Sequence, residues 1–178
     1  MLARLVGGAA LAFGLMAAPA SAQDADVLTP ARAGQLQCFE PNVAAKTCQS
    51  LGGYTFHADG RIDNTAEILL LPSPVIVMRA TGLVTVEDNA ICGPLRAEDI
   101  QGATFTINGA PASAEESAQL KAALTEQLGP MIGVQNCVAF TPDGDGLIAN
   151  STVGGTPRPD LRQRAIWVDA NAGWRVAP

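Results

Sequence analysis

Four cysteines, Cys38, Cys48, Cys92 and Cys137, constrain this 178-residue chain more than any other feature. An even count of cysteines in an exported chain reads as a disulfide framework. Four cysteines allow three pairings, and we favour Cys38–Cys48 with Cys92–Cys137. The first closes a short local loop, CFEPNVAAKTC, and the second ties the middle of the chain to its later part. Each bridge contributes about 2–4 kcal/mol, mainly by restricting the unfolded chain. Zinc sites usually show two close cysteine pairs. Here successive cysteines lie 10, 44 and 45 residues apart, and the lone His57 adds no partner, so no metal is expected. ICGPL lacks the second cysteine of a C-x-x-C motif, which argues against redox catalysis.

The N-terminus supplies the oxidising compartment that this framework needs. Arg4 gives a short positive start, Leu5 to Met16 is apolar, and Ala20-Ser21-Ala22 offers small residues for a signal peptidase. We read 1–22 as a signal peptide cut between Ala22 and Gln23, and the protein as periplasmic or secreted by a bacterium. The apolar run is too short to span about 30 Å of hydrocarbon. Losing Arg4 takes the formal net charge from −6 to −7. Such a surface disfavours nucleic acid and anionic lipid, both of which need clustered Lys and Arg.

Residues 23–37 are polar and read as a flexible N-terminal segment, with a single α+β domain over 38–178. EPNVAAKTCQSLGG suits a short helix ending at Gly52-Gly53. In YTFHADGRID a three-residue loop, Ala58-Asp59-Gly60, sets Phe56 opposite Ile62. That register puts Tyr54, Phe56 and Ile62 on one face, and His57, Arg61 and Asp63 on the other. Pro72 and Pro74 break an apolar run between strands. VIVMRA and GLVTVED read as strands around Gly82, and GATFTING as another.

A helix follows over about 114–128. Ser113 is its N-cap, Glu116 completes a capping box, and Leu120, Leu124 and Leu128 form an apolar stripe. VQNCVAFT, LIANSTV, RAIWVD and GWRVA are four more strands, with Trp167 and Trp174 completing the core. The fold class is therefore α+β: a mostly antiparallel, disulfide-bonded β-sheet with one principal helix.

Little in the chain carries chemistry. His57 reads as an exposed hairpin residue beside Arg61, with nothing visible to orient its ring as a base. PDGDG offers Asp143 and Asp145 but lacks the closing Glu of an EF-hand loop. Serine-hydrolase, zinc-protease and phosphate-loop signatures are missing, and nothing calls for a cofactor. Arg158, Arg162 and Arg164 stand close together as a possible anion-binding group, although a solvated loop is the simpler reading.

Cys48-Gln-Ser-Leu, Tyr54 with Asp59-Gly60-Arg61, Ile91-Cys92-Gly93 and the closing Trp174-Arg175-Val176-Ala177-Pro178 together resemble a group of small exported bacterial proteins with no assigned activity. The resemblance implies an envelope protein and carries over no catalytic residues. The function expected is binding or interaction in the cell envelope, with an envelope protein or a small ligand as partner. The alternative is a secreted hydrolase using carboxylates such as Asp59, Asp63 or Glu67.

Overall fold

The computed structural model describes residues 26–178; the expected signal segment and cleavage point lie outside the described residues. Eight strands close into an antiparallel barrel. In chain order they are β1 (Gln35–Phe39), β3 (Ser50–Phe56), β4 (Ile62–Pro72), β5 (Val75–Glu87), β6 (Ala90–Pro94), β9 (Gln135–Asp143), β10 (Gly146–Val153) and β11 (Thr156–Asp169). Each pairs with the next, and β11 returns to β1, with Gln37 opposite Trp167. Closure leaves the barrel wall without a free edge.

The sheet is mostly antiparallel with one principal helix, in agreement with the sequence, but alternation along the strands did not reveal closure. The β3–β4 hairpin adopts the expected register, with Phe56 opposite Ile62. His57 N–H donates to the Arg61 carbonyl at 2.9 Å, and Gly60 takes a φ of +87°.

Both disulfides form with the favoured pairing, Cys38–Cys48 and Cys92–Cys137. Cys92 and Cys137 are direct partners across β6 and β9. The bridge therefore fixes the point where the chain rejoins the barrel after an excursion. That excursion holds α2 (Ala97–Gln101), β7 (Thr104–Ile107), β8 (Ala110–Pro111) and α3 (Ala114–Leu128). Cys38 and Cys48 pack outside the wall with Leu51, Val168 and Trp174. There β12 (Arg175–Val176) runs parallel to β2 (Thr47–Cys48).

Four expectations are corrected. EPNVAAKTCQSLGG forms no helix: Asn42 bridges to Thr47, and residues 50–52 join β3 against β1. Gly53 is a close-approach position within that strand, since a Cβ there would meet Leu36 Cδ2 at 3.2 Å. Long-range pairing has overridden the local helix signal.

The segment before Cys38 is structured from Asp26 onward. Leu28 is fully buried against Ile91, with Phe56, Val84 and Trp167 packed around it. The short helix α1 (Thr29–Arg32) follows it, and β1 then begins at Gln35. Asp26 secures the turn, accepting from Leu28 N–H at 3.0 Å and from Arg32 Nε at 3.1 Å. The Leu28 N–H, with Arg32, holds the Asp26 carboxyl below the usual carboxylate range. Burying Leu28 contributes about 1.5–3 kcal/mol, enough to hold this segment across the barrel end.

Residues 75–87 are one strand, not two around Gly82. Likewise Thr156–Asp169 is one strand, with a register shift opposite Ala149 and Ser151, where a loop was expected over TPRP. Pro159 falls within that shift, while Pro157 keeps its place opposite Thr152.

The principal helix has the expected capping box. Ser113 N–H donates to Glu116 Oε2 at 2.7 Å, and Glu116 N–H donates to Ser113 Oγ at 3.2 Å. Its leucine stripe is only half-buried, and no residue of α3 is fully buried. The helix rests on its neighbour α2, where Lys121 Nζ donates to the Gln101 carbonyl at 2.6 Å, and is not the lid of the barrel.

Candidate functional site

The barrel wall alternates, and its inward positions make a hollow. One row across four strands reads Gln37, Gly52, Ala66 and Ala80, each opposite the next. Three of these four are small. Gly82 and Gly93 add to the gap. The result is a lumen of about 330 Å³. An eight-stranded barrel has an interior just wide enough to be filled by side chains or to hold one small ligand. Small residues on the inner row leave this one unfilled.

Phe39, Ile68, Met78, Val84, Ile91 and Phe140 supply most of the apolar wall. Leu28 stands across the end where β1 begins. Toward the other end Ile68, Met78 and Asn136 are only half-buried, so the hollow is a cup and not a sealed void.

Polar pairs lie on the outer face of β4 and β5. Glu67 pairs with Arg79 at 3.2 Å, and the Thr65 and Thr81 hydroxyls meet at 2.8 Å. No helix among the described residues is long and apolar enough to cross a membrane.

A few polar groups line the hollow. The Tyr54 hydroxyl donates to Gln37 Oε1 at 2.8 Å, and the Tyr54 ring rests 6.2 Å from that of Trp167. Burial pushes the Tyr54 phenol well above its ordinary value. Gln37 is 1% exposed, and its Nε2 has no hydrogen-bond partner. An unpaired buried donor costs about 1–3 kcal/mol. Asn64 Nδ2 donates to the Gly53 carbonyl at 3.1 Å.

Asp99 enters from α2 and stands over Gly82, where a Cβ would come within 3.4 Å of its Oδ2. Gly82 thus gives clearance to a carboxylate. Asp99 is matched by Arg96, whose backbone N–H, Nε and Nη2 all donate to it, the first two at 3.1 and 3.2 Å. That bond raises the Arg96 pKa further and keeps the guanidinium charged.

The residues singled out in the sequence lie elsewhere. His57, Arg61 and Asp63 do come together, on the outer face. His57 Nε2 is 2.8 Å from Asp63 Oδ2, and Arg61 Nε is 3.4 Å from Asp63 Oδ1. The ring therefore has an orienting carboxylate, contrary to the sequence reading, but no hydroxyl or thiol is bonded to it among the described residues. Asp59 Oδ1 accepts from Arg61 N–H at 3.0 Å, which holds the Asp59 carboxyl below its usual range. Glu67 is taken up by Arg79.

Of Arg158, Arg162 and Arg164, the first and last are set apart by the strand register. Arg158 faces Ser151 and Arg164 faces Ile148, so the register puts them on opposite faces of β11. Arg158 is bound at both prongs by Asp160, at 2.9 and 2.6 Å. Glu87 stands near the sulfurs of Cys92 and Cys137, but those sulfurs are spent in a disulfide and offer no thiolate to a metal.

A second hollow, about 790 Å³, lies between α1 and the β9–β10 turn, lined by residues such as Asp26, Asn89, Pro142 and Asp145. It is larger, but none of the described side chains that line it carries a buried nitrogen or oxygen without a partner. Compared with known protein families, curated proteins and solved structures, the chain matches none.

Proposed function

We propose that this is an exported binding protein whose barrel lumen holds one small, largely apolar molecule. The observation that carries the reading is the combination of an unfilled apolar lumen with Gln37 on its wall, a fully buried amide whose Nε2 lacks a partner. Ligand sites are typically concave, mostly apolar and furnished with a few placed polar groups. The carboxylates of the hydrolase alternative, Asp59, Asp63 and Glu67, are engaged in a turn or in ion pairs outside the lumen, which favours binding over hydrolysis.

Calorimetric titration with 2-acetylnaphthalene, an uncharged molecule of suitable size, tests the reading. Wild type should bind it. Ala66→Phe and Ala80→Phe, which fill the inner row, should each abolish binding while the thermal transition stays cooperative. Unchanged affinity in both folded variants would overturn the proposal.

A further inference from the structure

We infer that the lumen selects a neutral, compact, apolar molecule bearing one hydrogen-bond acceptor, a ketone or ester carbonyl, and that Gln37 is the residue that reads it. This rests on the lumen reading above. The donor is already specified: Tyr54 holds Gln37 Oε1, which assigns the free side of the amide to Nε2. Among the described residues it is the one buried side-chain nitrogen or oxygen without a partner. A ligand that only fills space leaves that donor unpaired, whereas a carbonyl oxygen satisfies it. Nε2 is shut off from water in the empty barrel. A small shift of the amide toward the lumen brings it to the bound oxygen, and the rotatable Tyr54 hydroxyl follows Oε1 so that its bond is kept.

The same wall excludes an anion. No Lys or Arg is among the described residues that line the lumen, and Asp99 is the carboxylate there. Its charge is already matched by Arg96. A bound carboxylate would lose its hydration, find no free cation and face Asp99. A neutral carbonyl carries no such cost. The volume sets the size: a lumen of about 330 Å³ suits roughly a dozen heavy atoms, at the small end of ligand pockets.

Three shape-matched probes separate these points: 2-acetylnaphthalene, 2-isopropenylnaphthalene, in which a methylene replaces the carbonyl oxygen, and 2-naphthoate. Each is titrated calorimetrically at pH 7 into wild type and Gln37→Leu, with Gln37→Met as a second variant of similar volume. The ketone-to-alkene affinity ratio should fall about tenfold from wild type to either variant, the loss expected for one satisfied buried donor. Naphthoate should bind wild type at least about a hundredfold more weakly than the ketone, as expected for an unpaired charge. If neither neutral probe binds, the lumen reading itself fails. If ketone and alkene bind with the same ratio in wild type and variants, the lumen reading stands and the role of Gln37 is overturned. Naphthoate binding as tightly as the ketone overturns the neutral-ligand class. Should neither variant fold, the ranking in wild type decides: an alkene bound more tightly than the ketone contradicts the inference.

Discussion

Tyr54 and Gln37 face each other inside the barrel, and the tyrosine hydroxyl donates to the amide oxygen at 2.8 Å. Removing that hydroxyl leaves both ends of the Gln37 amide unpaired. Tyr54→Phe should therefore cost about 1–3 kcal/mol in urea unfolding. Tyr54→Phe combined with Gln37→Leu should recover much of the loss, because both members of the polar pair are then gone. Additive losses in the double variant would mean that the pair is not coupled.

The same residue reports on the barrel at high pH. Tyr54 is the sole tyrosine in the chain, so phenolate absorbance has one source. Burial raises its folded pKa above the unfolded value near 10. A raised pKa makes a stabilising contribution that is fully present below pH 10 and lost as pH rises toward the folded value. Absorbance at 295 nm should stay flat through pH 10–11 in the native protein and rise together with loss of near-UV circular dichroism. A simple titration centred near 10, with the fold intact, would contradict the burial.

Two leucines separate the barrel from its excursion. Leu28 is 0% exposed, whereas Leu124 is half-buried on a helix with no buried residue. Leu28→Ala should cost about 2–5 kcal/mol. Leu124→Ala should cost about 1 kcal/mol or less. Equal losses would mean that α3 packs on the barrel after all.

Much of this was legible in the chain. The hairpin register followed from burying Phe56 with Ile62, and the helix from Ser113 and Glu116. The favoured disulfide pairing is the one that forms. Closure was not legible, because it depends on which distant strands meet, and β1 meeting β11 joins residues more than a hundred positions apart. The lumen left a trace that periodicity in apolar residues overlooks. On the inward positions of β4 and β5 the chain places Asn64, Ala66, Ala80 and Gly82 where a filled core would place large side chains. The more conspicuous signal, His57 with its acids, shares the outward face of the hairpin.

His57 should prove replaceable. Its ring and Asp63 are both partly solvated, and Arg61 remains beside Asp63 when the imidazole is removed. His57→Gln should change stability by less than about 1 kcal/mol, as expected for a partly exposed pair, and should leave probe affinity unchanged. A tenfold loss of affinity for 2-acetylnaphthalene would link the outer cluster to the lumen.

Gly93 marks the closest approach of β6 to β5: a Cβ there would sit 2.5 Å from the Leu83 carbonyl oxygen. Because that neighbour is backbone, Gly93→Ala should cost about 1–3 kcal/mol or more through forced separation of the strands. Gly82→Ala should cost less, since its contact with Asp99 is an ordinary one. Thermal melts of the two variants give the order directly, and the reverse order would contradict the packing described for this side of the barrel.

A ligand held inside the barrel lies against its inward methyl groups. Isotope-edited nuclear Overhauser spectra of the protein with 2-acetylnaphthalene test it most directly. Contacts are expected from the naphthalene protons to the methyl groups of Ala66, Ile68, Met78 and Ile91, which line the lumen. Contacts confined to methyls outside the lumen lining, such as those of Thr65 and Val77, or to the α3 leucines, would contradict it.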